Sequence, residues 1–229
     1  TYFGVTSFVD KPVAPFGLLA TDDYSYLTNL ALTSNSVVVQ NTVNALQLRY
    51  GGDTPESQLE ALLQIALRQE EVGFRDGSKR VVFLMTDAGF HFAGDGAQAR
   101  PGITTLSALN DFFFYGTGPA PVPITTPNNL DVILDGTPPS TGEDYPEVAQ
   151  VKAALESAGI VPIFAVTSDV VGIYQTLAQQ LGYTSSNVVT LNFDSSNLVT
   201  AIQNGLNGLT REVTASPVRS VGDVNHDGY

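Results

Sequence analysis

The chain has 229 residues, 43% of them hydrophobic, which is enough to bury one substantial core. Its 23 acidic and 10 basic residues give a formal net charge of -13, which argues against nucleic acid or an anionic membrane surface as a partner. The absence of cysteine excludes disulfides, thiolate metal sites and thiol catalysis.

The first fifty residues predict a strand, a turn and a helix. Residues 2–9 are rich in β-forming side chains, and residues 13–17 suggest a short strand limited by its proline. Residues 18–33 look irregular. Apolar side chains at helical spacing then predict a helix over residues 35–48.

The next two elements have the clearest signals. A helix is predicted over residues 55–70, with Thr54 as the N-cap candidate and Pro55 at the first helical position. Residues 81–85 are continuously apolar, as in a parallel strand covered on both faces, and Asp87 follows at the carboxyl end. This apolar run is far too short to cross a membrane, so we expect no membrane insertion by the segment.

The second half of the chain is predicted to contain a long excursion followed by helices that alternate with strands. Residues 89–143 are rich in Gly, Pro and Thr and are too long for an ordinary connection, so we expect a surface excursion with some local structure. The elements predicted after it are a helix over residues 146–157, a strand over 160–166, a helix over 169–181, a strand over 187–191 and a helix over 196–213. Such alternation favours an α/β fold with a doubly wound, mostly parallel sheet flanked by helices.

The end of the chain differs in character from the rest. Residues 223–228 have the D-x-N-x-D-G start of a calcium loop, but no acidic residue completes the loop. We therefore expect one domain over residues 1–214, followed over residues 215–229 by a linker or the start of a downstream calcium-loop module.

Four carboxylates fall where an α/β sheet collects ligands. Asp10 follows the first strand, Asp53 and Glu56 precede the strongest helix, and Asp87 ends a buried strand. If these loops converge, like-charge repulsion calls for a cation, and oxygen ligands suit calcium, magnesium or manganese. Alternatively, the same residues complement a helix N-terminus and cap turns. The residues alone leave both explanations open.

A series of motifs resembles successive landmarks of the integrin β I-like domain, a von Willebrand factor A-type fold. The motifs are Phe8-Val9-Asp10-Lys11-Pro12-Val13, Asp53-Thr54-Pro55-Glu56, Thr86-Asp87-Ala88-Gly89-Phe90-His91-Phe92-Ala93-Gly94-Asp95-Gly96, Asp144-Tyr145-Pro146 and Ile163-Phe164-Ala165-Val166-Thr167. They occur in the family's order and extend from residue 1 to about residue 213.

The resemblance implies a ligand-binding face with a central cation, usually magnesium, and two flanking cations, usually calcium. Glu56 matches the glutamate shared between the central ion and one flanking calcium, and Asp87 matches the aspartate behind the central ion. Asp10 and Asp53 match side-chain ligands of that calcium, with the Pro55 carbonyl as a further ligand.

The sequence also departs from the family pattern. Gly51 stands where the family commonly has an Asn ligand, while Phe193 matches a carbonyl donor to the other flanking site. The D-x-S-x-S motif of the central site and the two cysteines of the specificity loop are absent. Because the family carries that motif upstream of the strand at residues 2–9, we expect the first strand and its metal-binding loop to be missing. Either the chain is then a fragment of a longer ordered protein or another segment fills the gap.

Two further features have competing interpretations. His91 is a candidate metal or catalytic residue, but we interpret it as ordinary loop structure. The aromatic run at residues 112–115 could contact a partner, although packing within the fold is the simpler explanation.

The resemblance implies a non-enzymatic, extracellular or cell-surface adhesion domain of a microbial integrin-like protein. Its central cation would accept an acidic oxygen from a protein with an exposed Asp or Glu, and an integrin-α-like propeller is a further partner. The alternatives are a calcium-stabilised structural module and a metal-dependent hydrolase, for which no nucleophile and base pair stands out.

Overall fold

A computed structural model describes residues 1–49 and 51–215, with side chains described as far as residue 208. The predicted linker or calcium loop therefore lies, from residue 216 onward, outside the described residues. The strands are β1 (Phe3–Ser7), β2 (Leu27–Thr33), β3 (Arg80–Thr86), β4 (Ile160–Thr167) and β5 (Val188–Leu191). The helices are α1 (Ser36–Ala45), α2 (Gln58–Leu67), α3 (Gln69–Val72), α4 (Leu106–Tyr115), α5 (Val148–Ala158), α6 (Val171–Gln180) and α7 (Leu198–Ala215).

The predicted α/β class with a parallel sheet is confirmed. Strand β4 lies between β3 and β5 and pairs in parallel with both. Phe164 and Val166 of β4 belong to the main apolar core, which α2, α5 and α6 complete. Ala165 points to the opposite face, where it packs with Leu191 of β5 and Ala201 of α7. Helices therefore cover both faces of the sheet, as in a doubly wound fold.

The expected single sheet is divided in two. Strands β1 and β2 form a separate antiparallel pair, and within the described ranges no strand links β1 to β3. This division agrees with the expectation that the sheet lacks a strand. Strand β3 is correspondingly less enclosed than β4: only Leu84 is fully buried in β3.

Two local predictions in the first third of the chain are wrong. Residues 13–17 form a turn and no strand, and the stretch over residues 18–33 contains β2. Side chains of β2 are half-buried or exposed along its whole length, so the strand lacks the alternation of one buried face. Two register irregularities in β1, after Phe3 and after Val5, further blur the pattern.

The strongest helix begins later than predicted. Its N-cap is Ser57 and not Thr54. The backbone of Glu56 instead forms an isolated bridge with the loop after β3, because its amide donates to the Gly89 carbonyl at 3.1 Å and its carbonyl accepts from the His91 amide at 2.9 Å. Tertiary hydrogen bonds thus hold the Asp53-Thr54-Pro55-Glu56 segment as a loop.

No helix among the described residues is long and apolar enough to cross a membrane.

Leucine-to-alanine substitutions at a buried and at an exposed position should have very different effects on stability. Leu62 of α2 is fully buried, whereas Leu48 is fully exposed after α1. Leu62→Ala should lower the free energy of unfolding by about 2–5 kcal/mol, because it removes buried methyl groups and leaves a cavity. Leu48→Ala should change it by less than about 0.5 kcal/mol. Urea unfolding measures both, and equal losses would contradict the described core.

Candidate metal centre

Backbone hydrogen bonds bring three loops together at the carboxyl ends of the strands. The Ser57 amide donates to the Val9 carbonyl at 3.0 Å, which ties the start of α2 to the segment after β1. The bridge at Glu56 ties the loop before α2 to the loop after β3. The predicted convergence of the acidic segments is therefore present in the fold.

Asp10 lies at the centre of this convergence and is completely buried. Its Oδ1 accepts hydrogen bonds from the Lys11 amide at 2.7 Å, from the Ser57 hydroxyl at 2.9 Å and from the Tyr145 hydroxyl. Its Oδ2 accepts no hydrogen bond from the described residues and lies 3.3 Å from His91 Nε2. One oxygen is thus fixed by the protein, and the other faces the acidic group.

His91 lies between the carboxylates with only 3% of its surface exposed. Its Nε2 is 3.2 Å from Asp53 Oδ1, its Nδ1 is 2.9 Å from Asp95 Oδ2, and the ring stacks on Tyr145 at 4.7 Å. Burial disfavours the charged imidazole, but the Asp10 and Asp53 carboxylates beside Nε2 outweigh it and raise the pKa of His91 to about 10. Both ring nitrogens therefore carry protons at neutral pH.

Sequence reasoning treated His91 as loop structure, whereas the structure places its ring at the centre. Asp10, Asp53 and, when its ring is neutral, His91 each offer a ligand atom, and these atoms lie within 4.8 Å of one another. The spacing of four residues between His91 and Asp95 was the available signal, because it lets one carboxylate orient the ring. The partner at Nε2 is a tertiary contact that the sequence does not show.

Glu56 adds a further carboxyl group to this region. Burial and the negative charges of Asp10, Asp53 and Asp23 raise the pKa of Glu56 to about 9. Its Oε2 is buried and accepts no hydrogen bond from the described residues. Burial is also the main cause that raises the pKa of Asp53. Ionising all these groups together is unfavourable unless a cation binds among them.

Gly51 closes one side of the Glu56 carboxyl. Its φ of +56° lies in the left-handed region, and a Cβ added there would be 2.8 Å from Glu56 Oε1. A side chain at this position would crowd the carboxyl, so the position provides no side-chain ligand.

The other predicted ligands, which are Asp87, Pro55 and Phe193, do not belong to the three-residue group. Asp87 is exposed directly after β3. Burial raises the pKa of Tyr174, and the charges of Asp87 and Glu56 raise it further, so both carboxyls lie within electrostatic reach of that hydroxyl. Pro55 is half-buried in the loop before α2, and Phe193 is 73% exposed after β5.

Lys11 connects the centre to the long excursion. Its buried Nζ donates to the Ser140 carbonyl at 2.9 Å and lies 4.7 Å above the Tyr145 ring. Burial lowers the pKa of Lys11, while the charges of Glu60 and Glu143 oppose that shift. The lysine thereby anchors part of the excursion beside the Asp10 loop.

A cavity near the site has a different character. It measures about 650 Å³ and lies between the turn after Asp10 and the excursion, and its lining includes Leu18, Ile103 and Thr126 but no charged side chain. This cavity therefore offers no carboxylate to a cation.

The hydrogen bond from Tyr145 to Asp10 should contribute to the stability of the fold. Tyr145→Phe should lower the free energy of unfolding by about 1.5–3 kcal/mol, because it removes a buried donor to a carboxylate. Tyr115→Phe is the matched control, since Tyr115 is exposed at the end of α4. Urea unfolding in the presence of a chelator measures both variants, and equal stabilities would show that the bond contributes nothing.

Comparisons with known proteins identify relatives of this chain. A family model described as the integrin beta chain VWA domain matches residues 1–111 and 119–213. The chain is 34% identical over 212 residues to human integrin beta-7 and 34% identical over 211 residues to pig integrin beta-2. It is 26% identical over 210 residues to Drosophila integrin beta-PS.

These alignments cover most of this chain but a small part of each relative. They include 81% of the chain for the first two proteins and 82% for the third. The chain spans 24%, 24% and 22% of those relatives, respectively, or about a quarter of their length.

Proposed function

Because the chain belongs to the integrin β-chain von Willebrand factor A family, we propose that it is a non-enzymatic, cation-dependent adhesion or ligand-binding domain. The observation that carries this proposal is the buried group of carboxylates contributed by three loops. Asp10 Oδ2 and Glu56 Oε2 are buried and accept no hydrogen bond from the described residues, and Asp10 and Asp53 lie together around His91. Such a group is unstable without compensation, and a divalent cation supplies it.

A calcium ion would be held by Asp10, Asp53 and Glu56, with the Pro55 carbonyl as a further ligand. Calcium accepts 6–8 oxygen ligands in flexible geometry, so water can complete the shell where Gly51 provides no side chain. The residues fit such an ion, because the buried Oδ2 of Asp10 and Oε2 of Glu56 lack hydrogen-bond donors among the described residues. His91 would line the site and orient Asp53.

A central magnesium or manganese ion would lie between Glu56 and Asp87, and its role would be to accept an acidic oxygen from a partner protein. The exposure of Asp87 supports this assignment, because a partner must reach the ion from solvent. A cation held by few protein charges keeps the Lewis acidity to bind one more carboxylate.

The proposed setting is a domain over residues 1–214 of a cell-surface protein, with a protein partner that exposes Asp or Glu. An integrin-α-like propeller is a second proposed partner, since members of the family matched here are integrin β chains. The competing function is a calcium-stabilised structural module. Asp87 lies outside the three-residue group. If no central ion binds at Asp87, the structural module is the function that remains.

Calcium should stabilise the chain through Asp53. At 100 times the dissociation constant, mass action adds about 2.7 kcal/mol to the free energy of unfolding, and Asp53→Ala should abolish most of this gain. Thermal melts with titrated calcium and with chelator measure it. Equal responses in wild type and Asp53→Ala would show that the site lies elsewhere.

The control for this melt is Asp76→Ala. Asp76 precedes the amino end of β3, at the opposite end of the strand from the site, and its side chain is fully exposed. Asp95→Ala is unsuitable as a control, because Asp95 Oδ2 lies 2.9 Å from His91 Nδ1.

Acidic-ligand binding requires a separate test. The full chain should retain immobilised peptides with a central Asp in magnesium or manganese, but not matched peptides with Asn, and chelator should abolish retention. Asp87→Ala should weaken this binding at least about tenfold while the calcium-dependent melt stays as in wild type. Equal retention of Asp and Asn peptides would favour the structural module.

A further inference from the structure

A buried carboxylate that the preceding assignments do not use lies in the same connection as Asp10. Asp23, in the connection between β1 and β2, is 4% exposed. Its Oδ2 accepts hydrogen bonds from the Leu18 amide at 2.8 Å and from the Thr21 hydroxyl at 2.7 Å. These bonds fix one oxygen and thereby the plane of the carboxylate.

Main-chain contacts hold the end of this connection against its own start near Asp10, and hold its middle against the loop before α2. The Tyr24 carbonyl accepts from the Val9 amide at 2.8 Å, one residue before Asp10. The Phe16 carbonyl accepts from the Gly52 amide, one residue before Asp53. Only glycine permits that approach, because a Cβ at position 52 would lie 1.9 Å from the Pro15 carbonyl oxygen.

The second oxygen of Asp23 has no role in the local turn. Its Oδ1 is buried and accepts no hydrogen bond from the described residues, as is also true of Asp10 Oδ2 and Glu56 Oε2. The charge of Asp23 acts on the Glu56 carboxyl, so the two groups lie within electrostatic reach. An asparagine or serine could cap this turn without burying a charge, so the free oxygen of Asp23 calls for another explanation.

We propose that Asp23 is a further ligand of the cation held by Asp10, Asp53 and Glu56, and that it binds through Oδ1. The inference rests on the proposed calcium site and adds to it a second carboxylate from the connection between β1 and β2. Asp23 supplies a charged oxygen within electrostatic reach of Glu56, whereas Gly51 supplies no side-chain oxygen. A site with four carboxylates holds calcium more tightly than one with three, since affinity follows the number of ligand charges.

Asp23→Asn tests this assignment, because the amide oxygen still accepts from Leu18 and Thr21. Calorimetric titration of the full chain with calcium should show at least a tenfold weaker dissociation constant than in wild type. The melting temperature in chelator should stay equal or rise, because asparagine keeps the acceptor for Leu18 and Thr21 and removes a buried charge. Asp76→Asn should behave as wild type in both measurements.

Asp53→Asn serves as the reference for losing an already proposed ligand. If Asp53→Asn weakens calcium binding and Asp23→Asn binds within about twofold of wild type, the role of Asp23 is overturned and the proposed site stands. Absence of calcium binding to wild type overturns both. If Asp23→Asn does not fold, Asp23→Ser replaces it, because serine keeps a hydroxyl acceptor for the Leu18 amide. The dissociation constant of this variant for calcium is then compared with that of wild type by the same criteria.

Discussion

The carboxylate of Asp10 is the group on which the arrangement of the other loops depends. A fully buried carboxylate is costly unless donors surround it, and here Lys11, Ser57 and Tyr145 all donate to one oxygen. These donors come from the segment after β1, the start of α2 and the end of the excursion. Satisfying a single oxygen therefore fixes three separate parts of the chain around the other oxygen.

The electrostatics around that free oxygen explain the role of His91. The protonated ring lies between Asp10 and Asp53, with Asp95 at its other nitrogen, and supplies positive charge within a strongly acidic region. Burial and the neighbouring negative charges raise the pKa of Glu56 to about 9, so this carboxyl is neutral at neutral pH. The protein thus limits carboxylate repulsion in two ways, by an internal cation and by a neutral acid. Binding of a divalent ion would compete with both.

The sequence predicted the parts of this fold that depend on strongly patterned segments. The apolar runs of β3 and β4 marked the parallel sheet, and the positions of Asp10 and Asp87 after strands followed directly. Ser57 as N-cap and the contact between His91 and Asp53 were not predictable, because tertiary hydrogen bonds decide them. Strand β2 was missed because its side chains are half-buried on both faces.

The register of the sheet has a consequence for the reach of Asp87. Strands β3 and β4 pair without a shift over their common length, from Arg80 opposite Ile160 to Thr86 opposite Val166. A slip of one residue would displace Asp87 by about 3.3 Å and turn its side chain to the other face. The apolar packing of β3 therefore sets the position of the Asp87 carboxylate at the end of the strand. A substitution deep in the core can shift this carboxylate without changing any of the proposed ligands.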